Sequence, residues 1–312
     1  MHTILVSGLI NIETTLRVDG FPIDYFPVRY PFFGVNSSIS GVGFNVAKAL
    51  TTLGDSVRFL SLIGQDPGGK MVIDALQQAS IPPGFVLNRL EQTPQSVILY
   101  APGGRRQIHV DLKDIQERSY PLEGFQAALP GCSLVVLCNI NFSRPFLHLA
   151  RQSGKLVATD VHAIDSLDDE YNRDFMAGAD ILFMSDERLP LAPEDWIREI
   201  WHRYQAPIVI VGLGARGTLL GVRSERQLVH FPATTTRPII NTIGAGDALF
   251  SAFLHCYLQS GDPYEAIHKA SLFASYKIGE RGAADGFLNE QGLNQLYQRF
   301  AEESLFSPPN FL

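Results

Sequence analysis

Cysteine is scarce in this chain: Cys132, Cys138 and Cys256 sit in or beside apolar runs and share no metal-ligand spacing. That excludes a disulfide scaffold or a cysteine-held zinc, and reads as reduced core thiols of a cytosolic protein. Charge is sparse too, at 18% of residues with a net charge of −7, and no basic run exceeds Arg105-Arg106. Nucleic-acid binding needs a concentrated positive face, so none is expected. The longest apolar run, near Leu134 to Cys138, is far below the roughly 20 residues of a membrane helix. The start, Met1-His2-Thr3-Ile4-Leu5-Val6, lacks a basic segment followed by a long apolar one, and reads as a first strand rather than a signal peptide. These absences point to a cytoplasmic protein with no membrane or nucleic-acid partner. Repeats, low-complexity tracts and splitting linkers are also missing, so residues 1–312 are expected to form one domain.

What is present is a rhythm. Apolar, β-branched runs recur at Ile4–Val6, Val57–Ile63, Leu134–Leu137, Leu156–Thr159, Ile181–Met184 and Ile208–Val211. Continuous apolar strands suit a parallel sheet covered on both faces. Helical patterns fall between them, at Val46–Leu53, Lys70–Gln78, Pro145–Gln152 and Ile197–Tyr204. The alternation predicts an α/β sandwich. Two stretches break it. Residues 9–36 combine polar–apolar alternation with prolines and aromatics, and residues 93–112 read as a hairpin around Pro102-Gly103-Gly104. Both are assigned to a small separate β-sheet, placed to act as a lid over a cleft.

Asn241-Thr242-Ile243-Gly244-Ala245-Gly246-Asp247 runs directly into the apolar segment Ala248–Leu254, which suits a buried helix. A Gly-Ala-Gly turn opening a helix leaves backbone N–H groups free for an anion, and the helix dipole adds positive potential there. Asp247 puts a carboxylate beside that site. A carboxylate binds phosphate poorly but can accept the proton of a hydroxyl attacking phosphorus. The pairing suggests phosphoryl transfer to an alcohol, although the four residues taken alone more often serve as a structural turn and cap.

Other polar groups follow glycines or strand ends. Ser40-Gly41-Val42-Gly43-Phe44-Asn45 would let a substrate approach backbone, with Asn45 offering a donor and an acceptor to a polyol. Asn11 and Glu13, two apart at the end of the first strand, share a face. Strand carboxyl ends are where ligands bind in open α/β sheets. Gly64-Gln65-Asp66-Pro67-Gly68-Gly69 and Gly212-Leu213-Gly214-Ala215-Arg216-Gly217 occupy similar loops, the second well placed for a nucleotide.

Taken in order, Asn11/Glu13, Gly41-x-Gly43-x-Asn45, Gly64-x-Asp66-x-x-Gly69, Gly214-x-x-Gly217, Asn241-Thr242-x-Gly244-Ala245-Gly246-Asp247 and Arg281-Gly282-Ala283 resemble the ribokinase-like (phosphofructokinase-B) family of carbohydrate kinases. The resemblance runs from residue 4 to about 295. It implies a three-layer α/β/α sandwich with a mostly parallel central sheet and a β-sheet lid. It also implies magnesium–ATP as donor and a hydroxyl, usually of a sugar, as acceptor. In that frame Asp247 is the catalytic base, and the amides of Gly244, Ala245 and Gly246 form an anion hole. Asn11, Glu13, Gly41 and Asn45 hold acceptor hydroxyls, and Gly214, Arg216, Gly217 and Thr242 line the nucleotide site.

The chain departs from the family in four places. Asn241 replaces the usual Asp, associated with a nearby monovalent-cation site or with acceptor binding, which argues against potassium activation. Ser185-Asp186-Glu187-Arg188 aligns with an Asn-x-x-Glu that holds magnesium through water, leaving Asp186 or Glu187 to substitute. Gly212 replaces a Thr, and Asp160-Val161-His162-Ala163-Ile164 replaces Asp-x-Asn-x-Arg. Arg105, with Arg106, is a candidate for a phosphorylated acceptor. His162 reads as structural. Tyr25, Phe26, Tyr30, Phe32 and Phe33 suggest lid core, an apolar slot for a nucleoside, or a homodimer contact through the lid. The competing functions are a nucleoside kinase of the same fold, or a ribokinase-like sugar- or nucleotide-binding protein with weakened catalysis. The apolar tail from Phe306 to Leu312 is expected either to pack on the chain or to meet a subunit.

Overall fold

The computed structural model describes residues 1–102, 105–303, 306 and 308–312, so Gly103 and Gly104 of the expected turn lie outside the described residues. From the amino end come β1 (Thr3–Ser7), β2 (Asn11–Arg17), β3 (Val35–Ser40), α1 (Val42–Thr52), β4 (Ser56–Gly64), α2 (Pro67–Gln78) and β5 (Val86–Leu90). Next are β6 (Gln95–Tyr100), β7 (Arg106–Asp111), α3 (Leu122–Ala128), β8 (Leu134–Leu137), α4 (Arg144–Gln152), β9 (Leu156–Ala163), α5 (Arg173–Gly178) and β10 (Ile181–Ser185). The carboxyl part holds α6 (Pro193–Arg203), β11 (Ile208–Gly212), β12 (Thr218–Val222), β13 (Gln227–Phe231), α7 (Ala245–Ser260), α8 (Pro263–Lys277), α9 (Glu290–Glu302) and β14 (Asn310–Phe311).

The large sheet has the order β14-β13-β12-β11-β10-β9-β8-β1-β4-β5. Pairing is parallel from β11 through to β5 and antiparallel at the β12–β14 edge. Alternation along β1 shows why helices cover both faces. Ile4 and Val6 join one core with Phe44, Phe253 and Phe273, while Leu5 joins another with Phe125, Phe146 and Trp196. Each fully buried side chain of this size contributes about 1.5–3 kcal/mol. The arrangement is the α/β/α sandwich with a mostly parallel sheet.

The chain leaves β1 at the point where strand order reverses, which is where α/β sheets open a ligand crevice. There it forms a second sheet, β3-β2-β6-β7. In β2 the residues Asn11, Glu13 and Thr15 are buried and those between are not, so one face of this small sheet looks inward. Among the described residues, no helix is long and apolar enough to cross a membrane.

Several boundaries differ from the sequence pattern. Helix α1 starts at Val42 rather than Val46, because Gly41 (φ 101°) caps it and Gly43 lies against the Gly8 backbone. Glycines conceal a helix start that apolar periodicity alone places one turn later. The β12–β13 hairpin was not apparent in the sequence; Arg226 turns it with φ 52°. Phe306 packs against His268, Tyr297 and Phe300, and Asn310–Phe311 extends the sheet edge, so this part of the tail packs on its own chain. All three cysteines are free and buried.

Candidate active site

Helix α7 opens at Ala245 after Gly244, whose φ of 74° is a left-handed conformation that favours glycine. A Cβ there would also lie 2.3 Å from Ala283 O, so the loop can pass this close only with glycine. Among the described residues, no carbonyl accepts from the N–H of Gly246 or Asp247, while Ala245 N–H reaches Thr242 O at 3.3 Å. Free amides thus remain at the first turn, and Asp247 projects beside them.

Asp247 meets α1 across the cleft: Asn45 Nδ2 donates to its Oδ2 at 2.6 Å, and Ser40 Oγ donates to Asn45 Oδ1 at 3.3 Å. Burial raises the Asp247 carboxyl above the ordinary range and Asp160 adds to the rise, whereas Asn45, His162 and Lys277 oppose it. A carboxylate so placed is a better base near neutrality than an exposed one.

The inward face of the small sheet forms the opposite wall of a cavity of about 380 Å³. Asn11 Nδ2 donates to Ser96 Oγ at 2.9 Å, but Asn11 Oδ1 and Glu13 Oε1 are buried without a partner. Burial raises the Glu13 carboxyl, Ser40 beside it opposes the rise, and Asp247 adds to it. Buried oxygens of this kind suit the hydroxyls of a bound polyol.

At the carboxyl end of β9, Asp160 and His162 line the same cavity. His162 has φ 58°, its N–H bonds Asp160 Oδ1 at 2.7 Å, and its Nδ1 lies 3.3 Å from Asp160 Oδ2. Burial disfavours its charge, but Asp160 and then Asp247 outweigh that and push His162 up to about 9. The sequence suggested a structural histidine; the structure puts it in the cavity wall beside Asp160.

Other assignments separate. Arg105 stacks on Phe21, its guanidinium carbon 5.5 Å from the ring centroid, and does not line the cavity. The next residue along the extended chain does: Arg106 donates to Thr242 Oγ1 at 2.8 Å and pairs with Glu187 at 3.4 Å. Alternation turns the two arginines to opposite faces. Glu187 lines the cavity, whereas Asp186 is engaged by Arg216. Gly214 and Gly217 shape the loop after β11 and, with Arg216, lie outside the cavity lining. Asp66 caps α2 and accepts from Gly69 N, Thr93 N and Thr93 Oγ1, so that motif braces the fold.

Among the described residues, no three His, Cys, Asp or Glu side chains gather closely enough to cage a metal. Magnesium keeps several waters and takes only one or two carboxylates plus phosphate oxygens. Glu187 facing the cavity fits that demand, and an all-protein cage is not needed for it.

A family model described as pfkB family carbohydrate kinase matches residues 1–290. An acarbose 7(IV)-phosphotransferase of Actinoplanes sp. is 29% identical over 270 residues, covering 85% of this chain and 88% of that protein. A 5-dehydro-2-deoxygluconokinase of Clostridium perfringens is 22% identical over 321 residues, covering 92% of each. Among solved structures, a microbiome-derived acarbose kinase superposes with a TM-score of 0.86 at 25% identity, covering 96% of this chain and 99% of the other. A ribokinase from Giardia lamblia shares the fold, with a TM-score of 0.82 at 17% identity over 96% and 99% of the two chains.

Proposed function

The chain belongs to the pfkB family of carbohydrate kinases, and from that premise we propose that Asp247 is the base that activates an acceptor hydroxyl. It is a kinase of sugars or nucleosides that uses ATP. In the proposed division of labour, the backbone of Gly244–Gly246 receives the transferring phosphoryl group. Asn11, Glu13 and Asn45 hold and orient acceptor hydroxyls against Asp247, with Gly41 giving them close access to backbone. The observation that carries this reading is Asp247 on the first turn of α7, held by Asn45 at 2.6 Å beside the Gly244 and Gly246 amides, which no carbonyl among the described residues occupies.

ATP supplies the phosphoryl group when bound, and the open Gly214, together with Arg216, Gly217 and Thr242, would border its site. Glu187 would hold magnesium, which neutralises phosphate charge, while Asp186 positions Arg216. Fixed donors of this kind stabilise developing charge without reorganising. The small sheet acts as a lid that keeps water from competing with the acceptor, and the whole chain works as one kinase unit. Three buried, free thiols suit a reducing cytoplasm.

A sugar acceptor is the first reading. The two relatives named for acarbose make that glycoside a member of the panel to test, with pentoses, hexoses and their phosphates. A nucleoside is the second, favoured by the apolar lining of Ile98, Ile108, Val110 and Phe183. Coupled ADP-release assays with the panel identify the acceptor. With it, Asp247→Asn is expected to lower kcat roughly 10²–10⁴-fold; near-normal kcat in a folded variant would remove Asp247 from the role. Tyr25, Phe26, Tyr30, Phe32 and Phe33 are all exposed, by 65–96%, which does not fit a lid core. We assign them to a homodimer contact through the lid, which sedimentation showing only monomer at high concentration would refute.

A further inference from the structure

Lys277, the last residue of α8, is fully buried and donates its Nζ to Ile243 O. That carbonyl belongs to the peptide joining Ile243 to Gly244, the entrance to the anion loop. Its plane is rigid and trans, so its C=O and the N–H of Gly244 point in opposite directions. Fixing the oxygen on one side therefore fixes the N–H on the other. An ammonium on a carbonyl also polarises the amide and strengthens its N–H as a donor. The neighbouring Asn241 completes the support: its Nδ2 donates to Arg281 O at 2.7 Å and its Oδ1 accepts from Ile243 N at 3.0 Å. Nothing on α8 itself demands a buried charge, and burying one is costly unless it performs a task.

We propose that Lys277 is a positioning residue for phosphoryl transfer, a tethered monovalent cation that aims the Gly244 N–H at the transferring phosphoryl group and holds Asp247 beside it. The inference rests on the proposed reading of the site. Burial draws the Lys277 ammonium down to about 8, with Asp247, Asp285 and Glu13 working against the fall, so it is largely charged at neutral pH. An ammonium resembles potassium in charge and size, so a chain that carries one here has no need of a dissolved cation at this loop. Asn241, being neutral, brings no further charge to attract one.

The test begins with Lys277→Met, which keeps the volume and removes the charge. It is expected to lower kcat roughly 10–100-fold, the scale of a small misplacement of reacting groups. KM for ATP and acceptor should move less than about threefold, since ground-state binding is untouched. Ethylammonium or potassium should restore part of the kcat of Lys277→Ala, and wild-type turnover should be equal in potassium, sodium and N-methylglucamine salts. Wild-type kcat in Lys277→Met, or wild-type turnover that requires potassium, overturns the proposal. If Lys277→Met shows no native melt, Lys277→Gln decides, because it keeps an N–H donor without charge; unchanged kcat there defeats the cation role. If the wild type shows no Asp247-dependent turnover with any acceptor, the reading of the site has failed separately. The positioning role is then judged by affinity for ADP–aluminium fluoride relative to ADP. Lys277→Met should weaken the first and spare the second; equal affinities reject it.

Discussion

Asn45 on α1 and Asp247 on α7 are 202 residues apart in sequence and 2.6 Å apart in space, with the amide nitrogen donating to the carboxylate. Two helix starts, each opened by a glycine, converge on one carboxylate. Asn45 both aims Asp247 and lowers its pKa against the effect of burial. Removing the amide should therefore misplace the base and let its pKa rise further. A hydrogen bond to a charged group is worth about 1.5–3 kcal/mol. Asn45→Ala is thus expected to lower kcat by roughly 10–100-fold and to move the acid limb of the kcat–pH profile to higher pH. An acid limb that stays in place, in a variant with normal melting, would separate Asn45 from Asp247.

Glu13 has one carboxylate oxygen buried without a partner, and burial raises its pKa. Such a group weakens the free protein and is satisfied when a hydroxyl arrives. Leaving a buried polar group unpaired costs about 1–3 kcal/mol. Glu13→Gln should melt no lower than wild type at neutral pH while the acceptor KM rises roughly tenfold. The KM for ATP should hold. A drop in melting temperature with unchanged acceptor KM would assign Glu13 to the fold.

The fold was legible because its signals are local. Ile4–Val6, Leu134–Leu137 and Ile208–Val211 are continuous apolar runs, and runs of that kind pair as a covered parallel sheet. Gly244 was legible for a similar reason, since a glycine before an apolar helix marks a backbone that must turn sharply, whereas Gly41 and Gly43 concealed the start of α1. What stayed hidden depends on convergence. Lys277 looks like any lysine ending a helix until α8 packs its side chain under Ile243. Arg105 and Arg106 could be told apart only once β7 fixed which one faces Thr242. His162 read as structural because nothing in sequence shows that β9 ends at the cavity.

His162 makes a pH-dependent contribution whose sign follows from its shift. Its folded pKa is raised from 6.5 to about 9, so the imidazolium stabilises the fold fully below pH 6.5 and loses that effect as pH rises through 9. Some 43% of the side chain stays exposed, so solvent screening blunts the effect. Thermal melts of wild type and His162→Gln should differ most at pH 6 and converge by about pH 10. Parallel curves over that range would show that the Asp160–His162 contact carries no net charge coupling.

Arg106 makes a polar contact between the small sheet and the segment that leads into Gly244, beside the packing of Ile98 on Ile243 and Ala283. Its Nη1 donates to Thr242 Oγ1 at 2.8 Å, and its Nη2 lies 3.4 Å from Glu187. The Glu187 end is 63% exposed and adds little stability. The Thr242 end joins the sheet to the segment that leads into Gly244. Cutting it should leave the fold intact but loosen closure of the sheet over the cavity. Arg106→Ala is expected to melt within about a degree or two of wild type, as surface-type changes do, yet to admit water. The readout is the ratio of ATP hydrolysed without acceptor to ATP used for acceptor phosphorylation, which should rise. Arg105→Ala, which removes only the stacking on Phe21, should leave that ratio unchanged. If both variants raise it equally, the effect belongs to the sheet's general stability and not to the Arg106–Thr242 contact.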